Sequence, residues 1–286
     1  MYRPRIYPQN EQERQEWESL INAAKDKTPS ALLQAPQKCE KWLVISDVHR
    51  PFHDVKLWDK VLKLVRDLGS ELYGIVIAGD YLDLFTLGSY NEESLGLLKD
   101  FDLDFEYRDG LNGIIELESA AHKGVKKCFL FGNHEDRYFR TLNKKDNAKF
   151  GAALKNPVEA LQLYDRGWQV KTKYKDDFFL LGEHLEVIHG NFHNVHAAKT
   201  HLDKLGKSVM FGDTHRIQTF REGDKAAYNI GGLFDMNNKA FSYAPRTQRR
   251  VWANGFAIVN ITADGCYFAE VVNVWDGRFF ANGRMY

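Results

Sequence analysis

The chain has 286 residues, 44% hydrophobic and 27% charged, which is enough for one large α/β domain or two small ones. Lysine plus arginine equals aspartate plus glutamate at 39 each, so no overall charge draws the protein to a polyanion, which weighs against non-specific nucleic-acid binding. Three widely spaced cysteines, Cys39, Cys128 and Cys266, argue against a disulfide framework or a structural zinc site and for a reducing compartment.

The N-terminus is polar, without the apolar stretch of a signal peptide, and no apolar run approaches the roughly 20 residues that span a bilayer. The cytoplasm is therefore expected, and no membrane partner. Residues 1–40 read as a helical extension, with one helix near residues 10–25 and a thin apolar stripe of Trp17, Leu20 and Ile21. A break is expected at residues 27–30. Residues 41–286 read as one domain. Residues 42–46 form a strand-like run that gives way to Asp47-Val48-His49. Leu57, Trp58, Val61, Leu62, Leu64, Val65 and Leu68 then recur at helical spacing until Gly69 stops them. A second strand, residues 73–78, ends at Gly79-Asp80, which completes the start of a βαβ unit with parallel strands.

Residues 81–110 mix acidic and aromatic side chains and read as a partly helical excursion. A helix follows to about residue 121, then a strand at 127–131 that ends in Gly132-Asn133-His134-Glu135. Residues 137–166 are helix-rich, with a break at Asn156-Pro157. The strand at 185–188 ends at His189, a helix covers about 194–205, and the strand at 209–211 ends in Gly212-Asp213-Thr214-His215. Short strands at 226–230, 255–261 and 267–274 make the second half more of a meander.

Loops at the carboxyl ends of parallel strands converge on one edge. That edge would gather Asp47, Asp80 and Asp213 with His49, His134, His189, His215 and Asn133. Three carboxylates together repel one another unless cations neutralise them. Carboxylate, imidazole and amide donors without thiolate suit Mn²⁺, Fe, Zn²⁺ or Mg²⁺. So many donors exceed one metal's needs, and two cations about 3.5–4 Å apart account for them.

In their order along the chain, Asp47-x-His49, Gly79-Asp80, Gly132-Asn133-His134-Glu135, His189 and Gly212-x-x-His215 resemble the signature of the calcineurin-like metallophosphoesterases. The likeness spans about residues 42–216, with a β tail towards 275, and is nearest to the small stand-alone members of bacteria and phages. It implies a four-layer α/β/β/α sandwich and hydrolysis of phosphomono- or phosphodiesters by a metal-bound hydroxide, with Mn²⁺ as the first expectation. By position, Asp47, His49 and His215 correspond to ligands of the first metal, Asp80 to the bridging carboxylate, and Asn133 and His189 to ligands of the second. His134 corresponds to the non-ligand histidine that assists the leaving oxygen, and an imidazole that titrates near neutral pH suits that work.

One position departs from the pattern. Asp213 stands where the family usually has an imidazole, and as a harder donor it would favour Mn²⁺ or Mg²⁺ at the second site, the alternative being a second site that is weak or empty. Arg50, His53 and Asp54 read first as surface or supporting residues, with Arg50 the candidate among them to touch substrate phosphate, and Arg137 is equally a candidate to bind phosphate or to pair with Asp83 or Asp136. Glu135 is expected at a helix N-terminus. His193, His196 and His201 are expected to be solvated or packed. The substrate is a phosphoester, with nucleotide or nucleic acid among the choices, and a Mn²⁺-dependent DNA nuclease is the alternative function. Leu82-Asp83-Leu84 replaces the Asp-Arg-Gly of the protein-phosphatase branch and argues against that branch. A metal-binding scaffold without catalysis is the remaining alternative.

Overall fold

The strand β1 (Glu40–Ile45) sends Leu43 and Ile45 to one side and Trp42 and Val44 to the other, and each pair enters a different core. The computed structural model describes residues 10–26, 39–88, 102–144 and 154–286. Two compact units emerge, 1–38 and 39–286. In the first, the helix α1 (Glu11–Asp26) leaves Trp17 46% exposed. The side chains of Leu20 and Ile21 and the break at 27–30 lie outside the described residues.

In the second unit, β1 pairs in parallel with β2 (Leu72–Ala78), which pairs with β3 (Lys126–Leu130), which pairs with β4 (Gln169–Lys171). On its other side β1 is antiparallel to β10 (Gly255–Ile261), itself antiparallel to β11 (Tyr267–Asn273). The crossovers are α2 (Val55–Leu68) and α3 (Leu103–Ala120). Asp54 caps α2 by accepting the Leu57 N–H, and Gly69 at φ +51° ends it. All seven apolar positions expected of α2 are buried. They pack on Leu43, Ile45, Ile75 and Ile77.

The second sheet runs in the order β5 (Phe179–Leu181), β6 (Leu185–Val187), β7 (Ser208–Phe211), β9 (Lys225–Ile230), β8 (Ile217–Glu222). Trp42, Val44, Val76, Leu130, Leu185, Val187, Met210, Ile230 and Val259 fill the space between the sheets. The helix α6 (Ala197–Leu205) closes the outer face through Ala198 and Leu202 against Val209 and Phe211. Helices, sheet, sheet, helix is the four-layer α/β/β/α order, with two apolar interfaces for each central strand to serve. The expected meander divides between the sheets, since β8 and β9 extend the second while β10 and β11 return to the first. That division is a matter of tertiary pairing, which alternation along the chain does not encode.

Candidate metal centre

The parallel strands β1, β2, β3, β6 and β7 end at a common edge, and backbone hydrogen bonds knit the loops beyond them. Asp47 N–H donates to the Gly79 carbonyl at 3.1 Å, His49 N–H to Asp80 at 3.0 Å, and Gly212 N–H to His189 at 2.8 Å. Asp47, His49, Asp80, Asp213 and His215 all take positive φ, from 49° to 62°. Non-glycine residues rarely adopt that region, and such strain gathers where the fold holds side chains for a purpose. Two motif glycines set the spacing. A Cβ on Gly132 would lie 2.1 Å from Asp80 Oδ1, and one on Gly212 would lie 2.0 Å from Asp47 Oδ2.

His49 Nδ1 lies 2.9 Å from Asp83 Oδ2, so it carries the proton and leaves the Nε2 lone pair facing inward. There Nε2 is 3.0 Å from Nε2 of His215, which is 3.1 Å from Asp47 Oδ1. His189 repeats the arrangement. Its Nδ1 donates to the Ala78 carbonyl at 2.9 Å, and its Nε2 is 3.0 Å from Asn133 Oδ1 and 3.2 Å from Asp80 Oδ1. The Asn133 oxygen faces His189, Asp213 and Asp80, all acceptors, where the opposite amide orientation would make hydrogen bonds of 3.0, 3.0 and 3.2 Å. Donor atoms converging this closely hold protons between them or, once those are lost, a cation. Ligand atoms about 3.0 Å apart also match the edge of an octahedron with bonds of about 2.1 Å. The donor sets Asp47, His49, His215 and Asp47, Asp80, His189 each lie within 4.8 Å and are buried. On both chemistry and spacing, these residues fit divalent ions.

Protons do the neutralising in the metal-free protein. Burial would lower the His49 pKa, but hydrogen bonds with Asp47 and Asp83 and the charges of Asp83 and Asp80 raise it to about 10. Burial likewise opposes the charge on His189, yet Asp80, Asp47 and Asp213 lift its pKa well above the ordinary value. Asp80, despite burial, is held well below the usual carboxylate range by His134, His189 and His49. Metal binding would release these protons.

His134 behaves otherwise. Its backbone N–H donates to Asp80 Oδ1 at 2.8 Å, its Nδ1 donates to the Asp83 carbonyl at 2.6 Å, and its Nε2 accepts from Arg137 at 2.8 Å. Burial, and then the Arg137 charge, push its pKa down to about 3. In the metal-free protein the ring is therefore held neutral. Arg137 pairs with Asp83, donating to its carbonyl at 2.9 Å, while Asp136 is taken by Arg140. Arg50 is 3% exposed, bonded through Nε to Asp109 at 2.9 Å and through Nη1 to Glu116 at 3.2 Å, and lies over the Trp58 ring, the surroundings of a supporting residue.

Glu135 accepts backbone N–H groups of Gly132, Asp80 and Leu82 at 2.8 to 3.0 Å and ties two motif loops together. Burial and the Asp80 charge push its pKa to about 7. Asp83, expected only as a partner of Arg137, orients His49 and His134 as well. The signal available was a further carboxylate three residues after Asp80. His201 is packed as expected, but His193 places Nδ1 2.7 Å from Asp213 Oδ2. A cavity of about 150 Å³ opens on the centre, walled by Asn133, His134, His215, Tyr243, Gln248 and Trp252. Nothing in the sequence linked those last three to the motifs. A larger cleft, about 860 Å³, lies by Ser208 and Tyr267 and includes none of the expected site residues. No helix among the described residues is long and apolar enough to cross a membrane.

Among solved structures, vacuolar protein sorting 29 from Cryptosporidium parvum is 14% identical with a TM-score of 0.41, covering 87% of this chain and 97% of its own. The same protein from Chaetomium thermophilum is 14% identical with a TM-score of 0.39, over 82% and 93%. A Staphylococcus aureus protein assigned as a 5'-nucleotidase is 12% identical with a TM-score of 0.41, over 82% of this chain and 53% of that one. Likenesses this distant carry no argument about activity. No curated protein matches in sequence. The calcineurin-like phosphoesterase family model matches residues 41–231, which include every residue of the converging donor sets. On that match, which spans most of its length, the chain belongs to the calcineurin-like phosphoesterases.

Proposed function

We propose that the protein is a binuclear metal-dependent phosphoesterase acting on phosphomono- or phosphodiesters. The observation that carries this reading is the convergence of inward nitrogen and oxygen atoms of His49, His215, His189 and Asn133 beside Asp47 and Asp80. Asp47, His49 and His215 would hold one cation, Asn133, His189 and Asp213 the other, and Asp80 both. Bound divalent ions supply charge neutralisation for phosphoryl oxygens and water of lowered pKa. Asp213 in place of an imidazole favours Mn²⁺ or Mg²⁺.

The chain's own contribution lies on the cavity wall. His134 lines that cavity and is fixed as the Nδ1–H tautomer, and its Nε2 accepts from Arg137, which lines an adjoining cleft together with Asn133 and His134. His134 assists departure of the leaving oxygen through this pair, with Arg137 donating hydrogen bonds and positive charge. With Mn²⁺, the purified protein is expected to hydrolyse an aryl phosphate mono- or diester. His134→Ala, which frees the Arg137 donor, should lose about 10²–10³-fold in kcat while retaining both cations. Two bound cations with no hydrolysis of either ester would leave the scaffold reading instead.

A second reading is favoured by one observation. The short helix α7 (Arg246–Arg249) exposes Arg246 and Arg249, with Arg250 next in the chain, while Gln248 and Trp252 line the cavity. A local basic rim under zero net charge suits a polyanionic phosphodiester such as a nucleic acid. Cleavage of linear DNA that falls in the Arg246→Ala/Arg249→Ala/Arg250→Ala variant, with aryl diester turnover unchanged, supports it. Equal loss on both substrates goes against it.

A further inference from the structure

Asp213 has two carboxylate oxygens with different surroundings. Oδ1 faces inward, 3.6 Å from His189 Nε2 and within the group around Asn133. Oδ2 points towards the loop after β6 and lies 2.7 Å from His193 Nδ1. The Asp213 side chain is 4% exposed, so no bulk water stabilises its outer oxygen, whereas His193 is 63% exposed and owes its position to no core packing.

The loop carrying His193 is held in place. A Cβ on Gly190 would lie 2.7 Å from Cβ of Asp213, so the loop lies against that side chain. Asn191 N–H donates to His201 Nε2 at 3.0 Å, and His201 Nδ1 donates to the Ala197 carbonyl at 2.8 Å. The His201 ring is fully buried and stacks on Phe211 at 3.8 Å. Thus His189, at the start of the loop, and His193, near its end, are delivered to the same place from one anchored segment.

We infer that His193 is a positioning residue for the second cation, its Nδ1 set against Asp213 Oδ2, a buried oxygen with no other partner among the described residues, and so holding Oδ1 towards the ion. This rests on the binuclear reading above. The last torsion of an aspartate is broad, so a carboxylate fixed at neither oxygen turns easily about its own axis. A hydrogen bond to the non-ligating oxygen fixes its plane, and loss of such outer partners typically weakens metal binding about 10–100-fold. Where an imidazole would bring a rigid ring to this position, the chain uses a carboxylate and a second residue to orient it.

The test is calorimetric titration of metal-free full-length protein with Mn²⁺, for wild type, His193→Ala and His193→Gln. Two sites are expected in the wild type. In His193→Ala the Kd of one site should rise about 10–100-fold with the other unchanged, and His193→Gln, whose amide still donates, should recover most of the loss. Unchanged sites in His193→Ala, or no recovery in His193→Gln, overturn the inference while leaving the binuclear reading intact. Weakening of both sites together with a lower Tm marks a structural role and also overturns it. A wild type that binds fewer than two ions removes the binuclear reading, and the inference falls with it.

Discussion

Gly132 shows how much a single position can demand. Its ideal Cβ would sit 2.1 Å from Asp80 Oδ1 and 2.5 Å from the Asp80 backbone nitrogen, and neither is the far end of a flexible chain. Gly132→Ala must displace the carboxylate that faces both donor sets. The expected result is a folded protein that retains fewer than two equivalents of Mn²⁺ after dialysis, measured by elemental analysis, and full occupancy would show that the loop yields without cost. Asn133 and His134, on the same turn, were legible as a pair because their chemistry is written in their residue types. The protonation of His134 was not, since it depends on burial and on Arg137, three residues away in sequence but facing the ring only once α4 (Asp136–Leu142) has formed.

At the level of elements, α3 reaches into the loop that follows Asp80. Glu106 is fully buried and accepts the N–H groups of Phe85 and Thr86 at 2.8 and 2.9 Å. Burial pushes its pKa up to about 7. A raised folded-state pKa means that the native protein holds a proton the unfolded chain has released, so this contribution is full below about pH 4.5 and is lost as pH rises through 7. Denaturant midpoints of the wild type should therefore fall from pH 4.5 to 7 relative to Glu106→Gln, by up to about 3 kcal/mol. Parallel pH dependence in the two proteins would refute the assignment. The same helix holds Asp109 and Glu116 against Arg50.

For the whole molecule, the two sheets meet their polar ends in one place, and the cost of that meeting is electrostatic. Asp47 and Asp80 are buried among imidazoles, and with metals bound the native state alone gains their binding energy. At about 100 times Kd each ion adds about 2.7 kcal/mol, and for a chain of this size a kilocalorie moves Tm by about 2–4 °C. Chelation of both ions with EDTA should lower Tm by about 10–20 °C and Mn²⁺ should restore it, as read by calorimetry. An unchanged Tm would mean that the converging donors hold no tightly bound ion.

Sequence alone determined which residues could be donors, where the strands end, and which face of α2 is apolar. These are local properties, fixed by residue type and by periods of 2.0 and 3.6 along the chain. The tertiary structure decided the rest. It assigned the tail strands to two different sheets and brought Tyr243, Gln248 and Trp252 to the cavity wall. It turned Arg50 inward, gave Asp83 two histidines to orient, and set His193 against Asp213. The physical reason is common to all of these. Hydrogen-bond partners, desolvation and charge coupling are fixed by distances between residues far apart in the chain, and those distances exist only after the layers have packed.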